Sequence, residues 1–356
     1  MANPKQKFEE LLAIVVKENA SDLHISVGHH PTLRIDGSLV PLIDQEVITP
    51  DGARDFIFAM LDEEQQQKFL SQKELDFSYS FRDRARFRVN IFHQRGFMGV
   101  ALRLIPTKIR DFAELGLPPI LEDFAQYKQG FLLVVGPTGH GKSTTLAAII
   151  NHINRTRADH IITIEDPVEY LFTSEHAVID QREVGVDTES FQRGLRSMFR
   201  EDVDVVMIGE MRDVETMSMA VTAAETGHLV LSTIHTNNAS QTVDRIIDTF
   251  PTAQQGQIRA QLSLTLIGIV SQRLIPRVGG GLVPAIEVMI ANSAVRNLIR
   301  ENKTHELDLV VETSSEQGMI SLNRSLIELV RRGDISMEHA IQYSSNPSEL
   351  QSLLKR

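Results

Sequence analysis

Cysteine is absent from the 356 residues, which removes disulfides, thiol catalysis and cysteine-based zinc sites and fits a reducing compartment. No run of about 18 apolar residues occurs, so no membrane-spanning helix is expected. The opening segment, MANPKQKFEELLAIVVKENA, places polar and acidic side chains where a signal peptide needs an unbroken apolar core. The expectation is a cytoplasmic protein with no direct membrane insertion, touching a membrane only peripherally or through a partner. Positive charge is also in deficit: 36 Lys and Arg against 47 Asp and Glu give a net charge of −11. That balance argues against a generally basic nucleic-acid-binding surface. Internal repeats and low-complexity tracts are missing too. What remains, 42% apolar and 23% charged, is ordinary globular composition, and the length favours two or three domains.

Against that background one segment stands out, FLLVVGPTGHGKSTT at Phe131–Thr145. Gly136, Gly141, Lys142 and Ser143 meet the G-x-x-x-x-G-K-[ST] template of a phosphate-binding P-loop. An apolar strand-like run precedes it and a helical pattern follows, which is the setting such a loop requires. Glycines permit the positive φ angles by which backbone N–H groups converge on phosphate oxygens. The following helix presents its positive end to the same anion. Gly136, Pro137, Thr138, Gly139, His140, Gly141, Lys142, Ser143 and Thr144 are therefore the candidate nucleotide cradle. Lys142 would reach the β- and γ-phosphates of ATP, and the Ser143 hydroxyl would ligate Mg2+.

Phe8, Leu11, Leu12, Val15 and Val16 recur at helical spacing and predict an opening amphipathic helix. Strands are expected at Asp22–Val27 and Thr32–Ile35, the second closed by the turn dipeptide Asp36-Gly37. Helices near Ala53–Leu61 and Glu64–Leu70, then strands around Leu75–Phe81, Ala85–Phe92 and Gly99–Leu104, complete a small α+β domain over residues 1–105. Residues 106–120, with Pro106, Pro118 and Pro119, read as a linker. From Phe131 strands alternate with helices, which predicts a largely parallel sheet covered on both faces. That core is placed at 121–290, ending in a hairpin around Gly279–Gly281, and a helical extension fills 291–356.

Three further groups carry chemistry. Val205–Ile208 form a buried-strand run ending in Gly209 and Glu210, where an α/β ATPase keeps functional groups. Glu210 is the candidate base orienting the attacking water; the alternative is a solvated strand-end carboxylate. A second apolar strand ends in Glu165, Asp166 and Pro167, with Glu169 beyond. Paired carboxylates there suit a metal-bound or nucleophilic water, with helix capping or a surface turn as the alternative. Asp166 is the candidate acid for Mg2+, in a choice the spacing leaves open. In TGHLVLSTIHTNN, His228 and His235 flank one strand, and His235 lies at the end facing the phosphates. It can serve as a γ-phosphate sensor or simply as a satisfied polar residue.

Arginines form the last group. Arg82, Arg84, Arg86 and Arg88 alternate along one run and are expected on one strand face. Arg193, Arg196 and Arg200 are spaced for one helix face. Arg86, Arg88 and Arg196 are candidates for delivery to a neighbouring γ-phosphate, with solvated faces or intersubunit salt bridges as the alternative.

Together these segments resemble the secretion ATPase superfamily, most closely its type IV pilus retraction ATPases of the PilT type. Besides the P-loop, the resemblance rests on SDLHISVGHHPTLRIDG (Ser21–Gly37), ARFRVNIFHQRG (Ala85–Gly96), ITIEDPVEY (Ile162–Tyr170, the Asp-box), VVMIGEMRD (Val205–Asp213, the Walker B region) and TGHLVLSTIHTNNA (Thr226–Ala239, the His-box). AVRNLIRE at Ala294–Glu301 resembles a segment associated with retraction, with Val295 in place of isoleucine. The implied fold is α/β, an N-terminal PAS-like α+β domain followed by a RecA-like P-loop ATPase domain with a helical C-terminal extension. The resemblance also implies a homohexameric ring with nucleotide at subunit boundaries, Glu210 as a catalytic residue, Glu165 and Asp166 assisting, and His228 with His235 as the His-box pair. Two departures stand out: His140 replaces the usual serine, and Val203 replaces a common proline before Asp204.

The implied function is an ATP-driven motor for pilus disassembly, working through an inner-membrane platform protein and sometimes beside a paralogous retraction ATPase. Assembly and type II secretion ATPases are the runner-up. Those relatives typically carry a tetracysteine zinc site and an extra N-terminal region, whereas this chain has no cysteine and opens almost at the PAS-like segment. A nucleic-acid translocase would need a basic channel, for which the charge balance gives no support. A non-catalytic nucleotide-gated scaffold is the remaining alternative.

Overall fold

The structure, a computed structural model, describes residues 4–35, 37–82, 85–106 and 108–354. Asp36 of the expected turn and Arg84 of the arginine run lie outside them. The chain divides into two units, Met1–Lys108 with Pro167–Leu171, and Ile109–Asp166 with Phe172–Arg356.

In the first unit, α1 (Pro4–Lys17) buries Phe8, Leu11, Leu12 and Val15, the stripe its periodicity predicts. Strands β1 (Asp22–Ser26), β2 (Thr32–Ile35) and β3 (Ser38–Pro41) follow. Next come α2 (Pro50–Phe58), capped by the Thr49 hydroxyl, and α3 (Glu63–Gln72), opened by a capping box between Asp62 and Gln65. Strands β4 (Glu74–Phe81), β5 (Ala85–Gln94) and β6 (Phe97–Ile105) close the unit. All six strands form one antiparallel sheet in the order β3-β2-β1-β6-β5-β4. Ala85, Phe87, Val89 and Ile91 of β5 turn inward and share a core with Phe8 and Phe56. Arg86 and Arg88 therefore lie on the opposite face of β5. The expectation of one arginine face does not extend to Arg82, which sits in the β4–β5 turn at φ +51° and ion-pairs with Glu9 of α1. A left-handed turn residue cannot keep strand alternation.

The second unit starts with α4 (Ile120–Gln126), β7 (Gly130–Val135), α5 (Lys142–Thr156), β8 (His160–Glu165) and β9 (Val178–Glu183). It continues with α6 (Phe191–Met198), β10 (Val205–Ile208), α7 (Val214–Glu225), β11 (Leu229–Ile234), α8 (Ala239–Thr249) and α9 (Thr252–Thr265). Strands β12 (Leu266–Pro276) and β13 (Leu282–Ile290) form a hairpin. Helices α10 (Ser293–Arg300), α11 (Leu307–Thr313), α12 (Leu322–Arg331), α13 (Met337–Tyr343) and α14 (Pro347–Leu354) make the helical end of the chain.

The seven strands lie in the order β13-β12-β7-β11-β10-β8-β9, all neighbours parallel except β12 with β13. Every residue of β7, β10 and β11 is buried. Their side chains alternate between two cores: Phe131, Leu133 and Val135 enter one, Leu132 and Val134 the other. Such burial on both faces is why these strands read as uninterrupted apolar runs. A separate apolar cluster joins Ile275, Val283 and Ala285 of the hairpin to Leu322, Leu326 and Leu350 of the helical end. The α/β class expected from the alternating pattern is the class observed.

β12 joins the sheet with a register shift between Leu266 and Gly268. A Cβ at Gly268 would stand 2.7 Å from the Phe124 ring and 2.8 Å from the Met289 carbonyl oxygen. Both are fixed parts of the core, so Gly268→Ala should lower stability by about 1–3 kcal/mol through overpacking, read as a fall in the thermal unfolding midpoint.

Candidate functional site

Four strand ends converge at the carboxyl edge of the parallel sheet. β7 runs into Gly136, β11 into His235, β10 into Gly209 and Glu210, and β8 ends at Glu165. Since β11 lies between β7 and β10, His235 falls between the P-loop and Glu210. His235 Nδ1 is 3.4 Å from Lys142 Nζ and 3.4 Å from Thr138 Oγ1, while its Nε2 is 3.5 Å from Glu210 Oε2. Arg212 holds the other Glu210 oxygen at 2.6 Å. Lys142 Nζ donates to the carbonyl oxygens of Gly136 and Pro137, each at 3.0 Å. The cation, imidazole and carboxylate expected from three separate motifs thus form one line.

Gly136, Gly139 and Gly141 take φ values of +143°, +79° and +84°, and Gly141 caps α5 with no side-chain bond. The α5 N-terminus, with Ser143 and Thr144 in its first turn, therefore faces the loop, as anion binding requires. His140 turns inward: its Nδ1 accepts the Leu274 N–H at 2.9 Å. Burial, then the charges of Arg273 and Lys142, hold its pKa below the ordinary histidine value, which keeps that lone pair available. His140, the departure from the usual serine, thus contributes a ring contact to β12 besides its backbone.

Glu165 is buried and accepts from Thr163 Oγ1 at 2.7 Å and Gln181 Nε2 at 3.3 Å. It also lies beside Gly209, whose Cβ position would be 3.5 Å from Glu165 Cα. Asp166 is exposed. Among the described residues no group of three or more His, Asp or Glu side chains could hold a metal ion by itself. A cation here would draw its remaining ligands from bound phosphate, with Ser143 as the protein ligand that fits.

His228 is not brought to the P-loop within the chain. It precedes β11 at the opposite edge of the sheet, where its Nδ1 bonds the Ala223 carbonyl oxygen at 3.0 Å and its ring meets Phe199 edge-on. The parallel strand that delivers His235 necessarily carries His228 to its other end.

Arg200 also departs from expectation. The helix carrying Arg193 and Arg196 ends at Met198, so Arg200 falls in the following turn. All three nevertheless border one open cleft of about 530 Å³ with Arg182, Asp187 and Glu189. Arg193 pairs with Glu189 at 3.1 Å, Arg182 with Glu201 at 2.8 Å, and Arg196 with Glu215.

The family profile described as type II/IV secretion system protein matches residues 4–306. The chain belongs to this family. It is 43% identical over 338 residues to the type IV pilus retractation ATPase PilT of Pseudomonas aeruginosa, covering 95% of this chain and 98% of the relative. To the type IV pilus ATPase PilU of the same organism it is 41% identical over 350 residues, covering 98% and 91%. A crystal structure of the pilus retraction motor PilT with bound ADP superposes with a TM-score of 0.90 at 45% identity, covering 97% of this chain and 98% of that one. The chain is thus a nucleotide-binding ATPase of the type II/IV secretion family. Among the described residues no helix is long and apolar enough to cross a membrane.

Two residues of this secretion-family site have no signal in the sequence motifs. Gln272 of β12 contacts the P-loop, and Glu287 of β13 accepts the Ala239 N–H at 2.8 Å, just beyond His235. Burial, opposed by the Ala239 hydrogen bond and helped by Asp308, pushes the Glu287 pKa from 4.5 up to about 7. The fold therefore favours the protonated form. Stability from this group is full below its unfolded value of 4.5 and is lost as pH rises through about 7. Glu287→Gln keeps an acceptor without a charge. It should stabilise the protein by about 2–3 kcal/mol at pH 8 and by almost nothing at pH 4, as measured by thermal unfolding at both pH values.

Proposed function

We propose that this chain is a hexameric ATP-hydrolysing motor that powers type IV pilus retraction, the movement behind twitching motility. The observation that carries the reading is the line Lys142–His235–Glu210 at one sheet edge, in a chain similar to pilus retraction ATPases over nearly its whole length. In this reading residues 1–105 are a PAS-like domain, 106–120 a linker, 121–290 a RecA-like core and 291–356 a helical extension.

The backbone of Gly136, Pro137, Thr138, Gly139, His140 and Gly141 cradles the triphosphate, with Lys142 and Thr144 beside it. Lys142 neutralises charge on the β- and γ-phosphates. Ser143 would hold Mg2+, which would offset phosphate charge, with Asp166 as a supporting acid. Glu210 accepts a proton from the attacking water, positioned by Arg212 and His235, and Glu165 stands behind it. His235 bonds the γ-phosphate and loses that bond on hydrolysis. Since His228 lies at the far strand end, any contact it makes with nucleotide comes across a subunit boundary.

Arg86, Arg88 and Arg196 are the arginines for delivery to a neighbouring subunit's phosphate. Loss of the γ-phosphate then changes contacts between subunits, and cycling around the ring becomes work on an inner-membrane platform protein. The protein is cytoplasmic in this reading and peripheral at the inner membrane. A paralogous retraction ATPase is a further partner, in keeping with the similarity to PilU.

Lys142→Ala should abolish turnover by weakening nucleotide binding. Glu210→Gln should bind ATP normally and hydrolyse it roughly 10²–10⁴-fold more slowly. Steady-state ATPase assays with binding titrations separate the two, and particle images should show six-membered rings. Unchanged turnover in Lys142→Ala would rule the motor out.

A further inference from the structure

The cation opens α5 directly after the P-loop and the imidazole stands in the loop after β11, and both loops are fastened to the same β-hairpin. Gln272, with only 3% of its surface exposed, reaches the P-loop twice. Its Nε2 donates to the His140 carbonyl oxygen at 2.9 Å, and its Oε1 accepts the Thr145 hydroxyl at 2.6 Å. Two residues on, the Leu274 N–H donates to the His140 ring at 2.9 Å. The loop lies so close that a Cβ at Gly136 would stand 2.3 Å from the Gln272 carbonyl oxygen, and one at Gly141 would stand 2.7 Å from Gln272 Nε2.

The second loop is held from the neighbouring positions. Ser271 is paired in register with Glu287. Ser271 Oγ donates to the Asn237 carbonyl oxygen at 2.9 Å, and Glu287 Oε1 accepts the Ala239 N–H at 2.8 Å. These bonds bracket the backbone immediately after His235, at the start of α8.

We propose that Gln272 and Glu287 are positioning residues for ATP hydrolysis: Gln272 seats the P-loop, Glu287 seats the loop of His235, and the β12–β13 hairpin thereby sets the spacing between Lys142 and His235. The proposal rests on the ATPase reading and adds to it the mount on which the two phosphate-facing groups are held. Neither residue touches the substrate. Gln272 acts through the loop that binds ATP, so its loss acts on affinity. Glu287 acts through the loop that responds to the γ-phosphate, so its loss acts on turnover. A merely structural role would lower thermal stability without separating the two.

The test compares wild type, Gln272→Leu, Glu287→Ala and Glu287→Gln by ATPase kinetics, by titration with a fluorescent ATP analogue, and by thermal unfolding without nucleotide. Gln272→Leu should raise both KM and the analogue Kd about tenfold with kcat within roughly twofold. Glu287→Ala should lower kcat about tenfold with Kd nearly unchanged, and Glu287→Gln should recover most of it because its amide oxygen still accepts the Ala239 N–H. Should Gln272→Leu not fold, His140→Ala removes one latch alone and should raise KM by roughly threefold. Wild-type KM and Kd in folded Gln272→Leu, or no recovery in Glu287→Gln, would overturn the proposal. Lys142→Ala assayed alongside distinguishes the two levels. If wild type binds and Lys142→Ala does not, the ATPase reading stands whatever Gln272 does; if wild type binds no nucleotide, both fall.

Discussion

Val135 pairs with Ile234, and Ile208 pairs with Ser232 on one side and Ile164 on the other. Because these partners run parallel, four strands release their chains at one edge of the sheet, and the P-loop, His235, Glu210 and Glu165 all stand at those strand ends. The pairing is strongly specified, since the strands are buried on both faces. A slip of one residue would exchange the side chains of two different cores. Strand order then does the rest. With β11 between β7 and β10, the imidazole of His235 stands between an ammonium group and a carboxylate that lie 68 positions apart along the chain. Delivery from rigid strands lets such distant groups keep a line only a few ångströms long.

The glycines of the P-loop illustrate how one motif serves two demands. All three adopt positive φ, which is the conformational reason for glycine. Gly139 has open space around its Cβ position, whereas Gly136 and Gly141 are blocked by Gln272 from behind. The first and last glycines are therefore required as much by the close approach of β12 as by the phosphates in front. A side chain at either would push the loop off the strand and remove the bonds from Gln272 to His140 and Thr145.

Much of this was legible in the sequence because buried parallel strands are apolar throughout, and their ends are marked by Gly136, Gly209 and the carboxylate Glu165. Five strands of the first unit were legible for the complementary reason: one face is wet, so β5 alternates from Ala85 to Ile91, whereas β3, exposed along its whole length, was not read. β9 was missed. Its residues Val178–Glu183 are mostly partly exposed and include Asp180, Gln181 and Arg182, so this edge strand has no apolar run to betray it. Arg82 and Arg200 were placed on regular elements by spacing alone, and chain reversals at the β4–β5 turn and after Met198 took them off. His228 was paired with His235 by resemblance alone, and because the two flank β11 they stand at its opposite ends within one chain. Gln272 and Glu287 carry no local signal at all. Their meaning comes from contacts 132 and 48 positions away, which no short motif records.

Ion pairs in the second unit fall into two kinds, and burial decides which kind can move. Arg157 and Asp159 pair with 5% and 8% of their side chains exposed, and Arg157 also donates to the carbonyl oxygens of Ala125 and Tyr127. Breaking that pair would strand a buried charge, at about 3–5 kcal/mol, so it serves the fold. Arg196 pairs with Glu215 at 65% and 52% exposure, where such contacts contribute only about 0–1 kcal/mol. Such a loose hold suits the delivery to a phosphate proposed for Arg196. A charge-assisted bond to phosphate offers more than the pair gives up, so an anion at the cleft could draw Arg196 away without unfolding anything around it.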